Sequence, residues 1–290
     1  MELTKEESYG ILKTVLHLDL SEEDKLKPDL ILLNKIILAV HEHLPFQNLT
    51  LMAENVSDRH RPTWGEIKSA MLKNHGGLCY PMNLFLYRLL EVIGYEVTMA
   101  HSTITQWPNI NKNDHVIVFV HNVNNEGNLF LAEVGLGCPT FDAIDMSFEK
   151  ESKIYEQSTH VYKYTKSGGK GFRMYKDPED ASWKELYVFD LLGTKEMEQF
   201  EPYYDRIFAD PTVGIFHSII RTAAFPKKKA TAITNDTMTV EDQEGNVEKS
   251  KLATDDDIIN EYKKLFPQFE ESIVKSALAN WRSLQKEKSK

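Results

Sequence analysis

Cysteine is scarce in this chain: Cys79 and Cys138 are the only two among 290 residues. Two thiols cannot build a disulfide framework, so the small secreted scaffolds are excluded and a reducing compartment is expected. Positive charge is also short, with 34 Lys and Arg against 44 Asp and Glu and a net charge of −10. A nucleic-acid surface needs clustered cations to displace counterions from phosphates, so no nucleic-acid partner is expected. Long apolar runs are missing as well. The longest, residues 30–40, is broken by Asn34 and Lys35 and reads as an amphipathic core helix. It falls short of the ~18 residues of a membrane span, so no membrane partner is expected either. The opening Met1-Glu2-Leu3-Thr4-Lys5-Glu6 has neither the basic nor the apolar part of a secretory signal, and a cytoplasmic location is expected. His41 and His43 have no cysteine or carboxylate cluster at ligand spacing, so no metal is expected. The remaining balance, 41% hydrophobic and 27% charged, is that of a globular protein able to bury a large core.

What is present concentrates in Asn74-His75-Gly76-Gly77-Leu78-Cys79-Tyr80-Pro81-Met82-Asn83. Two glycines permit a tight turn and a close backbone approach. Pro81 then stands where the first turn of a helix begins. Met82, Phe85, Leu86, Leu89, Leu90 and Ile93 recur at helical spacing, and Gly94 is placed to end the helix. Cys79 is therefore predicted at a helix N-terminus, where unpaired N–H groups and the helix dipole favour a thiolate.

Downstream, residues 115–120 read as a buried strand opened by His115. Residues 122–128 carry turn chemistry, and residues 129–134 form a second strand that ends at Gly135. If the turn centres on Asn124, His115 faces Glu133 directly; a centre one residue later makes them diagonal neighbours, still within reach. A glutamate in an apolar strand is costly to bury alone, and His115 is its obvious partner. Cys79, His115 and Glu133 in that order read as a thiol triad of nucleophile, base and orienting carboxylate.

These residues carry a family resemblance. Pro45-Phe46-Gln47-Asn48-Leu49, His75-Gly76-Gly77-Leu78-Cys79, Asn83, His115 and Glu133-Val134-Gly135-Leu136-Gly137 resemble the arylamine N-acetyltransferases. In that family the motifs run Pro-Phe-Glu-Asn-Leu, Arg-Gly-Gly-x-Cys, a histidine opening a strand, and Val-Asp-x-Gly-Phe-Gly. The match is dense over about residues 30–145 and thin afterwards. The resemblance implies that Cys79 accepts an acetyl group from acetyl-coenzyme A, a co-substrate rather than a bound cofactor, and passes it to an arylamine, arylhydrazine or N-hydroxyarylamine. His115 would be the base, and Glu133 would replace the usual aspartate. Phe46, Thr103, Ile104, Leu136, Phe216 and Ser218 are implied to meet substrate or coenzyme. The resemblance also implies a monomer engaged in xenobiotic metabolism.

The departures bear on chemistry. Glu133 adds one methylene. Gln47 and His75 replace the glutamate and arginine that form an ion pair in the family, and a Gln47–His75 hydrogen bond is expected in its place. Pro81 and Leu136 stand where the family has a polar and an aromatic residue. The implied fold is α+β in three parts. A helical bundle (1–97) carries Cys79, a β-barrel-like segment (98–195) carries His115 and Glu133, and an α/β lid with C-terminal helices spans 196–290. Within the last part a short helix at 195–201 is expected to be interrupted by Pro202. Two other readings use the same residues: a papain- or transglutaminase-like cysteine hydrolase or transamidase, and a ligand-binding homologue with little turnover.

Overall fold

The computed structural model describes residues 3–22, 25, 28–107 and 109–288. A helix start expected at Ser21-Glu22-Glu23-Asp24 includes Glu23 and Asp24, which lie outside those residues. The N-terminal part is helical, and its starts follow capping chemistry. In α1 (Lys5–Thr14) and α4 (Trp64–Leu72), Thr4 and Thr63 close capping boxes with Glu7 and Glu66. Asp29 caps α2 (Leu30–His43) by accepting from the Leu32 N–H at 2.8 Å. Between α2 and α4 lie β1 (Phe46–Gln47) and the short α3 (Leu49–Ala53).

The Gly-Gly turn then delivers the chain into α5 (Cys79–Ile93). Gly76 has φ +64, and a Cβ there would sit 1.9 Å from the Pro45 carbonyl oxygen, so only glycine fits. Gly94, with φ 108, caps the far end of α5 in the left-handed region. Phe85, Leu86, Leu89 and Leu90 of α5 are fully buried. Each contributes roughly 1.5–3 kcal/mol of transfer free energy, which fixes the helix axis and hence the position of Cys79.

An eight-stranded antiparallel sheet follows, in the order β5-β4-β3-β2-β9-β8-β7-β6. Its strands are β2 (Glu96–Ile104), β3 (His115–His121), β4 (Leu129–Ala132), β5 (Ile144–Asp145), β6 (Tyr155–Gln157), β7 (His160–Ser167), β8 (Lys170–Lys176) and β9 (Trp183–Asp190). β3 is buried on both faces, which explains why it reads as a continuous apolar run. Val116, Val118 and Val120 pack into the core that holds α5, while Ile117 and Phe119 face a second core with Tyr164, Tyr187 and Phe189.

The β3–β4 hairpin pairs Val118 with Ala132 and His121 with Leu129, so its turn is centred one residue beyond Asn124. His115 and Glu133 are therefore not directly opposed. Pro202 is also placed differently from expectation. It occupies the first turn of α6 (Glu201–Ala209), where its missing N–H costs nothing, and so begins a helix instead of interrupting one.

The C-terminal part is a five-stranded sheet in which β10 (Arg221–Ala224), β11 (Thr231–Thr234), β12 (Thr237–Glu241) and β13 (Val247–Lys251) extend from β1. Its core is shared with α7 (Asp255–Leu265) and α8 (Glu271–Lys288). Phe46-Gln47 thus joins the two ends of the chain, pairing Phe46 with Ala223 and Gln47 with Thr222. Among the described residues no helix is long and apolar enough to cross a membrane.

Candidate active site

Cys79 is the first residue of α5, and the preceding Leu78 supplies no side-chain cap. The N–H groups of the first turn therefore stay directed at whatever charge gathers there. The thiol sits 3.5 Å from the Asp114 carbonyl oxygen, and it is near enough to the His115 ring to raise its pKa. His115 Nε2 meets Glu133 Oε2 at 2.6 Å, with both side chains almost wholly buried. That leaves Nδ1 as the ring nitrogen for Cys79.

Glu133 lies just past the end of β4 and reaches His115 diagonally, a span its extra methylene helps to cover. Its other oxygen accepts from Asn83 Nδ2 at 3.0 Å and from the Gly135 N–H at 2.8 Å. Asn83 is itself fixed from α5, donating to the Val116 carbonyl at 2.7 Å and accepting from the Val134 N–H at 3.1 Å. One amide thus ties α5, β3 and the 133–135 turn together. Gly135 is required by the same closeness: a Cβ there would lie 2.7 Å from both Asn83 Nδ2 and the Cys79 carbonyl oxygen.

Electrostatics make the pair ionic. Burial by itself would push His115 down, but the Glu133 charge and hydrogen bonds to Cys79 and Glu133 outweigh it and hold the ring up to about 10. Burial would likewise raise Glu133, yet the His115 charge and the bonds from His115, Asn83 and Gly135 keep it below its usual value. Behind them His41 Nε2 lies 3.2 Å from the Glu133 carbonyl oxygen, and its burial pulls it down to about 4, so it stays neutral. Asp114 goes the other way, pushed up by burial to about 6.

Phe46, Ile104, Leu136 and Phe216 line the cleft beside Cys79 and His115. Thr103 and Ser218 are not among its lining residues. Thr103 is the strand neighbour of Ile104 and points the opposite way, where its hydroxyl accepts from the Asn113 N–H at 3.0 Å. Ser218 turns its hydroxyl to the Ile215 carbonyl at 3.0 Å. The cleft also takes in Trp107 and Val213, which lie in segments the resemblance places beside it, and Asp114 and Ile207, which were not singled out.

Water centres have only about 30 Å³ in the cleft, room for one or two molecules. Larger spaces lie elsewhere, about 350 Å³ among Trp64, Tyr80, Phe200 and Tyr204 and about 180 Å³ behind the Gly-Gly turn. None of Cys79, His115 and Glu133 lines either one.

Gln47 and His75 do not bond to each other. The Gln47 amide is taken up by Thr50, donating to its hydroxyl and accepting from its N–H, each at 3.0 Å. His75 stacks on Phe269 with ring centroids 5.0 Å apart and faces the Gln268 carbonyl at 3.1 Å. Burial lowers it, so each former ion-pair site has been neutralised separately. Asn48, which follows Gln47, donates to the Phe216 and Ile219 carbonyls at 2.6 and 2.7 Å and accepts from the Arg221 N–H at 2.7 Å. The Pro-Phe-Gln-Asn stretch therefore anchors the far wall of the cleft.

A thiol at a helix start, an imidazole and a buried carboxylate at one cleft define a thiol-dependent enzyme. The chain belongs to the N-acetyltransferase family, whose model matches residues 29–268. A curated relative, a probable arylamine N-acetyltransferase 3 of Dictyostelium discoideum, is 24% identical over 122 residues. That alignment spans 42% of this chain and 39% of the relative. Solved structures share the fold. The arylamine N-acetyltransferase of M. tuberculosis superposes with a TM-score of 0.76 at 15% identity, covering 93% of this chain and 98% of that one. The Mycobacterium marinum enzyme in complex with CoA gives 0.74 at 14% identity over 93% and 98%. A Bacillus cereus enzyme described as having a Cys-His-Glu catalytic triad gives 0.70 at 19% identity over 89% and 97%.

Proposed function

We propose that this protein moves an acetyl group from acetyl-coenzyme A to an arylamine, arylhydrazine or N-hydroxyarylamine by a ping-pong mechanism through a thioester on Cys79. The observation that carries the reading is that Cys79 and His115 line one cleft, with Glu133 bonded to His115 from behind. In the first step the Cys79 sulfur attacks the acetyl carbonyl carbon. The carbon–sulfur bond to the coenzyme breaks, and the departing thiolate takes the proton of the His115 imidazolium. In the second step the amine nitrogen attacks the Cys79 thioester and gives its proton to His115, and Cys79 leaves as thiolate. Glu133 holds the ring in the required orientation and balances its charge, which the Bacillus cereus neighbour's Cys-His-Glu description supports as a workable third member.

The three parts, 1–97, 98–195 and 196–290, would then supply the nucleophile, the base with its carboxylate, and the closing wall at Phe216. Two free cysteines fit a reducing compartment such as the cytoplasm, where the chain would work as a monomer on foreign aromatic amines. Intact mass after incubation with acetyl-coenzyme A alone tests the reading. One acetyl adduct is expected on the native chain, absent from Cys79→Ala and discharged by an arylhydrazine. A folded chain with a reactive Cys79 and no adduct would move the assignment to a hydrolase or transamidase.

A further inference from the structure

We propose that Asp114 sets acceptor specificity, favouring aromatic amines that carry a second, cationic group and disfavouring anionic ones. This rests on the acyl-transfer reading above. The cleft wall is otherwise apolar, built from residues such as Phe46, Ile104, Trp107, Leu136 and Phe216, surfaces suited to an aromatic ring. Besides Cys79 and His115, Asp114 is the only ionisable residue among the described residues lining it. The His115 charge is already matched by Glu133 at 2.6 Å. The His115 charge also acts on Asp114 and lowers it, but its ion partner is Glu133, so Asp114 brings a second negative charge with no ion partner of its own in the cleft lining.

Its placement is fixed from two sides. Oδ1 accepts from the Ile104 N–H at 2.8 Å, and the Asp114 backbone carbonyl holds the Cys79 thiol at 3.5 Å. The carboxylate is thus anchored within a residue's reach of the reacting sulfur. No other described residue donates to its second oxygen, which is not sealed from solvent. Among the described residues no lysine or arginine acts on it, and burial, opposed by the Ile104 N–H and the His115 charge, raises its pKa to about 6, so at neutral pH it is mostly ionised and poorly solvated. A half-buried carboxylate in an aromatic slot gains from a cationic partner and repels an anionic one.

The bland alternative is that Asp114 only caps the end of β2 through the Ile104 N–H. Asp114→Asn keeps that acceptor and removes the charge, so it separates the two. We would measure kcat/KM with acetyl-coenzyme A for three acceptors of one shape: 4-methylaniline, (4-aminobenzyl)trimethylammonium and 4-aminobenzoate. In the native chain the cation should be preferred over the anion, and Asp114→Asn should reduce that ratio tenfold or more. The neutral compound is the reference against which each charged one moves, in opposite directions. A uniform fall for all three, with ratios unchanged, would show a structural role and overturn the proposal. Calorimetric titration of the same compounds reads the preference without turnover. A chain that transfers no acetyl group sinks the acyl-transfer reading, yet its binding ratios still decide the role of Asp114: a cation preference lost in Asp114→Asn sustains it, and equal binding overturns it.

Discussion

Replacing Glu133 by glutamine changes one atom of the site and removes its charge. The Asn83 amide and the Gly135 N–H both donate to Oε1, so the new amide oxygen must take that position. The amide nitrogen then faces His115 Nε2 across what was a 2.6 Å contact. Nε2 can meet a donor only as an acceptor, which moves the ring proton to Nδ1, the nitrogen that serves Cys79. A base with its proton on the wrong nitrogen cannot take another. The analogous change in the serine-protease triad costs about 10⁴ in rate, and a loss of about 10³–10⁴ in Cys79 acetylation is expected here. Stability should fall too. Holding His115 up to about 10 against its ordinary 6.5 corresponds to about 5 kcal/mol at ~1.36 kcal/mol per pH unit. The ring can shed its proton instead of remaining an unpaired cation, so about 2–4 kcal/mol is the expected net loss. Quenched-flow mixing with acetyl-coenzyme A read by intact mass gives the rate, and urea unfolding gives the stability. Acetylation of Glu133→Gln within tenfold of the native chain would refute the tautomer argument.

The same pair fixes a pH signature. Glu133, lowered in the fold, stabilises above about pH 4.5 and loses that contribution as pH falls; His115, raised, contributes fully below about 6.5 and loses it as pH climbs to about 10. The urea-midpoint gap between native chain and Glu133→Gln should accordingly be widest between those limits and narrow markedly by pH 9.5; a gap that widens with alkali would contradict the assignment. Gly135→Ala places a methyl 2.7 Å from the Cys79 carbonyl and should cost about 1–3 kcal/mol in urea unfolding while slowing iodoacetamide labelling of Cys79. Because Gln47 and His75 have separate partners, a Gln47→Ala/His75→Ala double-mutant cycle should show coupling below about 0.5 kcal/mol, and coupling above about 1 kcal/mol would restore the direct bond.

The convergence of Cys79, His115 and Glu133 was legible because these residues broke local patterns. Cys79 sat between a Gly-Gly turn and a helical period, and Glu133 was a lone charge in an apolar strand. The diagonal register was legible only as an alternative, since a seven-residue turn does not declare its own centre. Asp114 gave no signal, because an aspartate before a strand is ordinary turn chemistry until the fold brings Trp107 and Phe216 around it. The Gln47–His75 bond misread the site for a related reason. Two substitutions that neutralise an ion pair look coordinated in sequence, yet Thr50 and Phe269 had already taken the two side chains separately. Pro202 shows the same limit in a single residue, since a proline starts a helix or stops one according to where the hydrogen-bond ladder begins.

The narrowness of the cleft is also a statement about time. With room for one or two waters beside Cys79, an acetylated sulfur would be attacked by solvent only as often as a water arrives in line, in a space its own acetyl group partly fills. The intermediate would then outlast the departure of the coenzyme and decay chiefly through encounters with an amine. Acceptor scarcity would lengthen the wait instead of wasting the donor.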